Sequence, residues 1–253
     1  MKILHVIFSC NRIQYLTKSL ESLRNLDYGN HQVDRLIIDD YPRTRNDAIF
    51  DLLCKVHGFN SLLQFNNLGL SVTWSAFFDF LKNTDYDYIL HQEDDVVLLK
   101  PIKVDDLIQV LESDSNMASV VLQRQPWYFH ETESKIELED MTLLTDQGTR
   151  LYYSKNTKTF PIIFSLYRKS IVDYPFREYW GFNINEGMIA VYLDWQEKMY
   201  SATLKTTEGK NFIEHIGEVC TGKRLEQGEP NWEQFAHMDP NLNYSSRNGA
   251  LVE

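Results

Sequence analysis

The chain is poor in cysteine. Cys10, Cys54 and Cys220 are its three cysteines, widely spaced and without a CxxC pair. That suggests neither a disulfide framework nor a cysteine-built zinc site, and it fits a reduced, cytoplasmic setting. No run of about 18 apolar residues occurs, so no membrane-spanning segment is expected. The opening apolar stretch, Met1 to Phe8, is broken by Ser9-Cys10-Asn11-Arg12 before it reaches signal-peptide length. Positive charge is in the minority: 25 Lys and Arg stand against 36 Asp and Glu, a net charge of -11. An extended nucleic-acid surface is therefore disfavoured, because it needs clustered cations to displace counterions, although a local basic patch remains compatible. Repeats, low-complexity segments and a clear linker are all missing.

What is there suits a folded enzyme. With 253 residues and 43% apolar content, the chain can bury one sizeable core. Aromatic residues make up 13%, including five Trp and fourteen Tyr. Such a share fits flat or ring-shaped ligands, though aromatics fill cores more often than they line sites.

The hydrophobic pattern alternates between strand and helix. Ile3 to Phe8 reads as a strand ending in Ser9, Asn11 and Arg12, and Tyr15, Leu16, Leu20 and Leu23 follow at helical spacing. Val33 to Ile38 stops at Asp39-Asp40-Tyr41-Pro42, before a helical face of Ile49, Leu52, Leu53 and Val56. Ser61 to Phe65 gives a third strand, Val72 to Leu81 an apolar helix, and Tyr86 to Gln92 a fourth strand running into Glu93-Asp94-Asp95. Further on, Asp105 to Leu111 reads as helix, Ala118 to Leu122 as strand, Glu131 to Asp140 as exposed loop or edge, Phe160 to Tyr167 as strand and Glu186 to Tyr200 as helix. This alternation predicts an α/β fold, a mostly parallel sheet with helices on both faces. Ligands of such sheets bind beyond the carboxyl ends of the strands, where Ser9 to Arg12, Asp39-Asp40, Asn66-Asn67 and Glu93 to Asp95 all fall. The expected organisation is a domain over 1–220, with a binding half to residue 100 and a second half from 101, and an irregular tail over 221–253 that could fold across the site.

Glu93-Asp94-Asp95 interrupts an otherwise apolar stretch with three carboxylates. Adjacent carboxylates repel, and burying them uncompensated is costly. A divalent cation bound by oxygen ligands relieves both problems; a solvated acidic turn is the alternative on local sequence alone.

Four segments in order resemble the family 2 glycosyltransferases of the GT-A fold: Phe8-Ser9-Cys10-Asn11-Arg12, Ile37-Ile38-Asp39-Asp40, Asn67-Leu68-Gly69-Leu70-Ser71 and the DxD-type Glu93-Asp94-Asp95. The resemblance implies transfer of a sugar from a nucleotide-diphosphate sugar to an acceptor hydroxyl, dependent on Mn²⁺ or Mg²⁺ and inverting. It places Ser9, Asn11, Arg12 and Asn67 at the nucleotide pocket, and Asp39 or Asp40 on the base or ribose. Asp95 would be the principal metal ligand, with Glu93 or Asp94 reaching toward the sugar. Two departures stand out: Glu93 replaces the usual aspartate, and Val72-Thr73 follows Gly-Leu-Ser where the family often has Ala-Arg-Asn, so that arginine is missing.

The second half resembles the family less. Trp180-Gly181-Phe182-Asn183-Ile184-Asn185-Glu186 looks similar to the segment carrying the catalytic base. Glu186 would deprotonate the acceptor from a helix start, where the dipole favours a carboxylate. Asp194 and Glu178 are the other candidates, and a solvent-facing first-turn glutamate is the plain reading of Glu186. His215 resembles the late histidine that completes the metal shell in many GT-A enzymes, although a lone histidine is more often structural. Lys223 and Arg224 follow, where positive charge could meet the diphosphate. Trp127, Tyr128, Trp180 and Phe182 are candidates for stacking on a sugar or base. The acceptor is open: glycan, lipid carrier, protein or modified nucleic acid. Nucleotidyl transfer, disfavoured because no Gly-rich loop follows Phe8, and non-catalytic nucleotide-sugar binding are the competing functions.

Overall fold

A computed structural model describes residues 1–9, 12–39, 47–63, 70–122, 124–125, 139–145, 150–156, 163–176, 178, 186–205 and 211–216. The elements run β1 (Lys2–Ser9), α1 (Ile13–Ser22), β2 (Leu26–Asp27), β3 (Gln32–Asp39), α2 (Asp47–His57), β4 (Asn60–Leu63), α3 (Leu70–Lys82), β5 (Tyr88–Glu93) and β6 (Val96–Leu98). There follow β7 (Ile102–Lys103), α4 (Val104–Glu112), β8 (Met117–Leu122), β9 (Arg124–Gln125), β10 (Glu139–Leu144) and β11 (Arg150–Asn156). The last are β12 (Phe164–Arg168), α5 (Glu186–Glu197), β13 (Tyr200–Lys205) and β14 (Ile213–His215).

Nine strands form one sheet in the order β10-β11-β13-β8-β12-β5-β1-β3-β4. Seven run in the direction of β1, while β12 and β11 are reversed. The expected mostly parallel α/β sheet is therefore present. Its central strands β1, β5 and β8 are buried almost throughout because helices cover both faces. Leu4, Val6 and Phe8 of β1 pack with α3 and α5 residues such as Trp74, Phe78, Ile189 and Leu193. Ile7, between them, faces Leu16, Leu20 and Phe50 of α1 and α2, and Ile3 joins the cluster that includes Leu107 and Leu111 of α4.

The register of the parallel strands brings three polar ends to one level. Ser9 is opposite Asp39 across β1 and β3, and Phe8 is opposite Glu93 across β1 and β5. A smaller sheet, β6-β14-β9, extends past this rim; β6 and β9 follow closely on β5 and β8, and β14 returns between them.

Element limits differ from the sequence expectation where tertiary pairing intervenes. The helix expected to reach Tyr200 ends at Glu197: Lys198 takes a left-handed conformation with φ 57°, and the Met199 N–H donates to the Leu193 carbonyl at 2.9 Å. This left-handed stop frees Tyr200 to begin β13 beside β8. The acidic segment expected as loop or edge contributes Glu139 and Asp140 to edge strand β10. The expected tail, 221–253, lies outside the described residues.

His5 sits in the core, fully buried against Tyr28 and Phe59. Burial lowers its imidazole to about 3, the Arg35 charge adding to the effect and the Gln92 amide opposing it. The unfolded chain takes up a proton near pH 6.5, whereas folded His5 does not until near its lowered value, so its contribution is complete above pH 6.5 and is lost as pH falls. The difference in unfolding free energy between the native chain and His5→Phe should shrink by about 2 kcal/mol between pH 7 and pH 5. Urea titrations at the two pH values measure this, and an NMR titration should find the His5 ring silent above pH 4.

Candidate functional site

The acidic residues lie where β5 leaves the sheet. Glu93 closes β5, Asp94 and Asp95 form the turn, and β6 starts at Val96. Backbone bonds fix this turn on both sides: the Glu93 N–H donates to Ile163 O at 3.0 Å, the Asp94 N–H to Phe8 O at 3.0 Å, and the Ile216 N–H to Asp95 O at 2.9 Å. Strand β14 runs antiparallel to β6 with His215 opposite Val96, which delivers a histidine 120 residues distant in sequence to the turn.

His215 Nε2 lies 2.9 Å from Asp95 Oδ1 and 3.5 Å from Glu93 Oε2. The three groups offer one ligand atom each, all within 4.8 Å of one another; Asp95 and His215 are buried and Glu93 is half-buried. One imidazole and two carboxylates gathered this closely fit a divalent cation of the Mg²⁺, Mn²⁺ or Zn²⁺ kind. Glu93, read from sequence as reaching toward a sugar, thus stands with Asp95 and His215. Nothing in the run Glu93-Asp94-Asp95 itself distinguishes Glu93 from Asp94 in this respect.

Asp94 is oriented away from this cluster. Its carboxylate, fully buried, accepts from Ser9 Oγ at 2.9 Å, from Arg12 Nε at 3.2 Å and from Arg12 Nη2. Arg12 Nη1 donates to Asp95 Oδ2 at 2.5 Å. The two oxygens of Asp95 are thereby divided between His215 and Arg12. Burial pushes the Asp94 carboxyl up to about 7, against the pull of the Arg12 charge, with Asp95 adding to the rise and Ser9 opposing it. The crowd of carboxylates holds Arg12 above its ordinary value despite burial. The guanidinium stays charged, and Asp94 depends on it to be an anion.

Asp39 ends β3, buried beside Ser9. Glu186 is the first residue of α5, and Asp194 lies on the same helix about two turns later, exposed to solvent. Helix α5 is anchored in the core through Ile189, Ala190, Tyr192 and Leu193. The described side chains of the site therefore bring together Ser9, Arg12, Glu93, Asp94, Asp95 and His215. Asn11, Asp40, Asn67, Lys223 and Arg224, with the aromatic candidates Trp127, Tyr128, Trp180 and Phe182, lie outside the described residues, as does the side chain of Glu186. No helix among the described residues is long and apolar enough to cross a membrane.

No family model matches the sequence, and no curated protein matches it. Solved structures do match in fold. Residues 1–349 of TarS from S. aureus align with TM-score 0.54 and 13% identity over 89% of this chain, which spans 65% of that one. The mannosyltransferase PcManGT from Pyrobaculum calidifontis, solved with GDP-Man and Mn²⁺, gives TM-score 0.55 at 9% identity over 97% of this chain and 67% of its own. GalNAc-T7, solved with UDP, GalNAc and Mn²⁺, gives 0.55 at 8% identity over 85% of this chain and 43% of its own. The chain thus has the GT-A fold of these glycosyltransferases.

The Arg12–Asp94 pair generates a stability prediction. Arg12→Met leaves a buried carboxylate without its counter-ion and should lower the unfolding free energy by about 3 kcal/mol in urea titrations. Adding Asp94→Asn should restore at least half of the loss, since the buried acid goes with it; no restoration would mean that Arg12 acts through its bond to Asp95 or by packing.

Proposed function

We propose that the chain is a glycosyltransferase that moves a sugar from a nucleotide-diphosphate sugar to an acceptor hydroxyl, using Mn²⁺ or Mg²⁺ held by Glu93, Asp95 and His215. The observation that carries this reading is the meeting of those three residues at the carboxyl rim of a GT-A sheet. Open α/β sheets bind ligands at that rim. PcManGT and GalNAc-T7, which have the same fold, were solved with Mn²⁺ and with GDP-Man or with UDP and GalNAc, and TarS with UDP-GlcNAc.

When bound there, the cation would supply charge neutralisation for the departing diphosphate. Asp39 or Asp40 holds the base or ribose, and Asn11 and Asn67 complete the nucleotide pocket. Ser9 and Arg12 sustain the acidic turn from within, and the partly exposed guanidinium of Arg12 adds fixed positive charge beside the cation. Glu186, at the start of α5, takes the acceptor proton as the new carbon–oxygen bond forms at the anomeric carbon. The bond from that carbon to the phosphate oxygen breaks, and the nucleoside diphosphate leaves with inversion. Asp194 is the alternative base. Lys223 and Arg224 would offset charge on the leaving group.

Thermal unfolding of the full chain with UDP, GDP or dTDP, each with and without Mn²⁺, tests the reading. At least one nucleotide should stabilise the protein only when Mn²⁺ is present, by about 2–3 kcal/mol at a hundredfold excess over Kd. Asp95→Ala should abolish that shift. Glu186→Gln should preserve it while reducing transfer or donor hydrolysis by about 10²- to 10⁴-fold. Absence of a metal-dependent shift with every nucleotide would contradict the proposal.

A further inference from the structure

Directly behind the acidic turn is a second set of polar groups with no part in the reading above. Gln92, the last residue before Glu93, is fully buried, as are His5 and Ser19. The Gln92 amide nitrogen donates to the Val96 carbonyl at 3.2 Å and to Ser19 Oγ at 2.7 Å, and its oxygen meets His5 Nε2 at 3.1 Å. Chemistry fixes the polarity of this chain of bonds. A carbonyl only accepts, so the nitrogen of Gln92 faces Val96 and its oxygen faces His5. His5 Nε2 therefore carries the ring proton, and Nδ1 accepts from the Tyr28 hydroxyl at 2.6 Å. Both N–H donors and the oxygen of the Gln92 amide are engaged, which makes a single side-chain orientation strongly preferred.

The bond from Gln92 to Val96 spans the turn that contains Glu93, Asp94 and Asp95. The far end of β6 is fastened to the same helix: the Leu98 N–H donates to Ser22 Oγ at 3.0 Å, and Asn25 Nδ2 donates to Leu98 O at 2.8 Å. Ser19, Ser22 and Asn25 recur every three residues along α1 and the short 3-10 turn that continues it, so one polar stripe grips the whole β5–β6 segment. Three neighbouring carboxylates push such a turn toward a more open shape in which they separate. The Gln92 bond opposes that opening at the position where the ligand atoms of Glu93 and Asp95 must stay close.

We propose that Gln92 is a positioning residue for the metal centre: it clasps the turn across Val96, and His5 and Ser19 hold the clasp in place. The proposal rests on the reading of Glu93, Asp95 and His215 as metal ligands. Gln92 itself does not touch the ion. Its effect is to keep two carboxylates preorganised before a cation arrives, the kind of outer contact whose loss commonly weakens metal binding by about 10- to 100-fold.

The test uses Mn²⁺ alone as probe, titrated into the full chain by calorimetry. Gln92→Met keeps the side chain's length and bulk while removing both donors and the acceptor, and should raise the Mn²⁺ Kd at least tenfold. The control is Ser119→Ala, which deletes the buried Ser119–Ser201 hydroxyl bond, 2.8 Å, between β8 and β13. It should lower Tm and leave Kd unchanged. A Gln92→Met protein that loses Tm as the control does yet binds Mn²⁺ as the native chain does would overturn the proposal. Amide hydrogen exchange on the metal-free native chain gives a readout independent of any variant's folding: the amides of Asp94 and Ile216, bonded to Phe8 and Asp95, should exchange as slowly as those of β5, and exchange at the rate of an open loop would overturn the clasp. A native chain that binds no Mn²⁺ while these amides remain protected would remove the metal reading, and the inference with it, and would be told apart from a failed clasp by that protection.

Discussion

Three consecutive carboxylates at the mouth of a buried strand set the terms for the rest of this structure. Glu93, Asp94 and Asp95 cannot share a poorly hydrated turn without compensation, because each raises the cost of ionising its neighbours. The fold separates the problem into an inward and an outward part. Asp94 faces inward and is neutralised by Arg12, with Ser9 adding a third bond. Glu93 and Asp95 face the rim, where His215 lies within reach of both and can carry a proton or share a cation with them. The outward pair meets Arg12 through its bond to Asp95, and together with His215 it offers the mixed carboxylate and imidazole set that a divalent ion takes.

Sheet register is what makes the arrangement possible. Parallel pairing of β1 with β3 and β5 places Ser9, Asp39 and Glu93 at one level, and the antiparallel return of β14 along β6 adds His215 from the far end of the described chain. Each partner arrives from a different element, so the site exists only once the long-range pairs have formed. The helices contribute by what they cover as much as by what they offer. Helices α3 and α5 seal one face of β1, while the polar stripe of α1 secures the opposite side of the turn.

Much of the fold was legible in the sequence because continuous apolar runs and helical spacing mark buried strands and amphipathic helices directly. The strand ends at Ser9, Asp39 and Glu93 were legible for the same reason: a polar residue ending an apolar run is a local signal. Pairing information is not local. Nothing near Glu214 states that His215 will lie opposite Val96, and the resemblance to GT-A enzymes, rather than any spacing, marked that histidine. The inward turn of Asp94 was equally hidden, since a run of three acids does not say which member will point into the core. The stop at Lys198 went unread because its left-handed backbone has no glycine to announce it, and the strands from 139 to 156 and from 200 to 205 lie where the apolar pattern is short and mixed.

The central claim is that Glu93, Asp95 and His215 form one cation site. A crystal structure of the full chain grown with Mn²⁺, with anomalous scattering recorded above the manganese edge, tests it most directly. The account predicts one strong peak within bonding distance of an oxygen from Glu93, an oxygen from Asp95 and Nε2 of His215, with Arg12 still joined to Asp94. A peak held by other residues, or no peak while His215 remains bonded to Asp95, would contradict it.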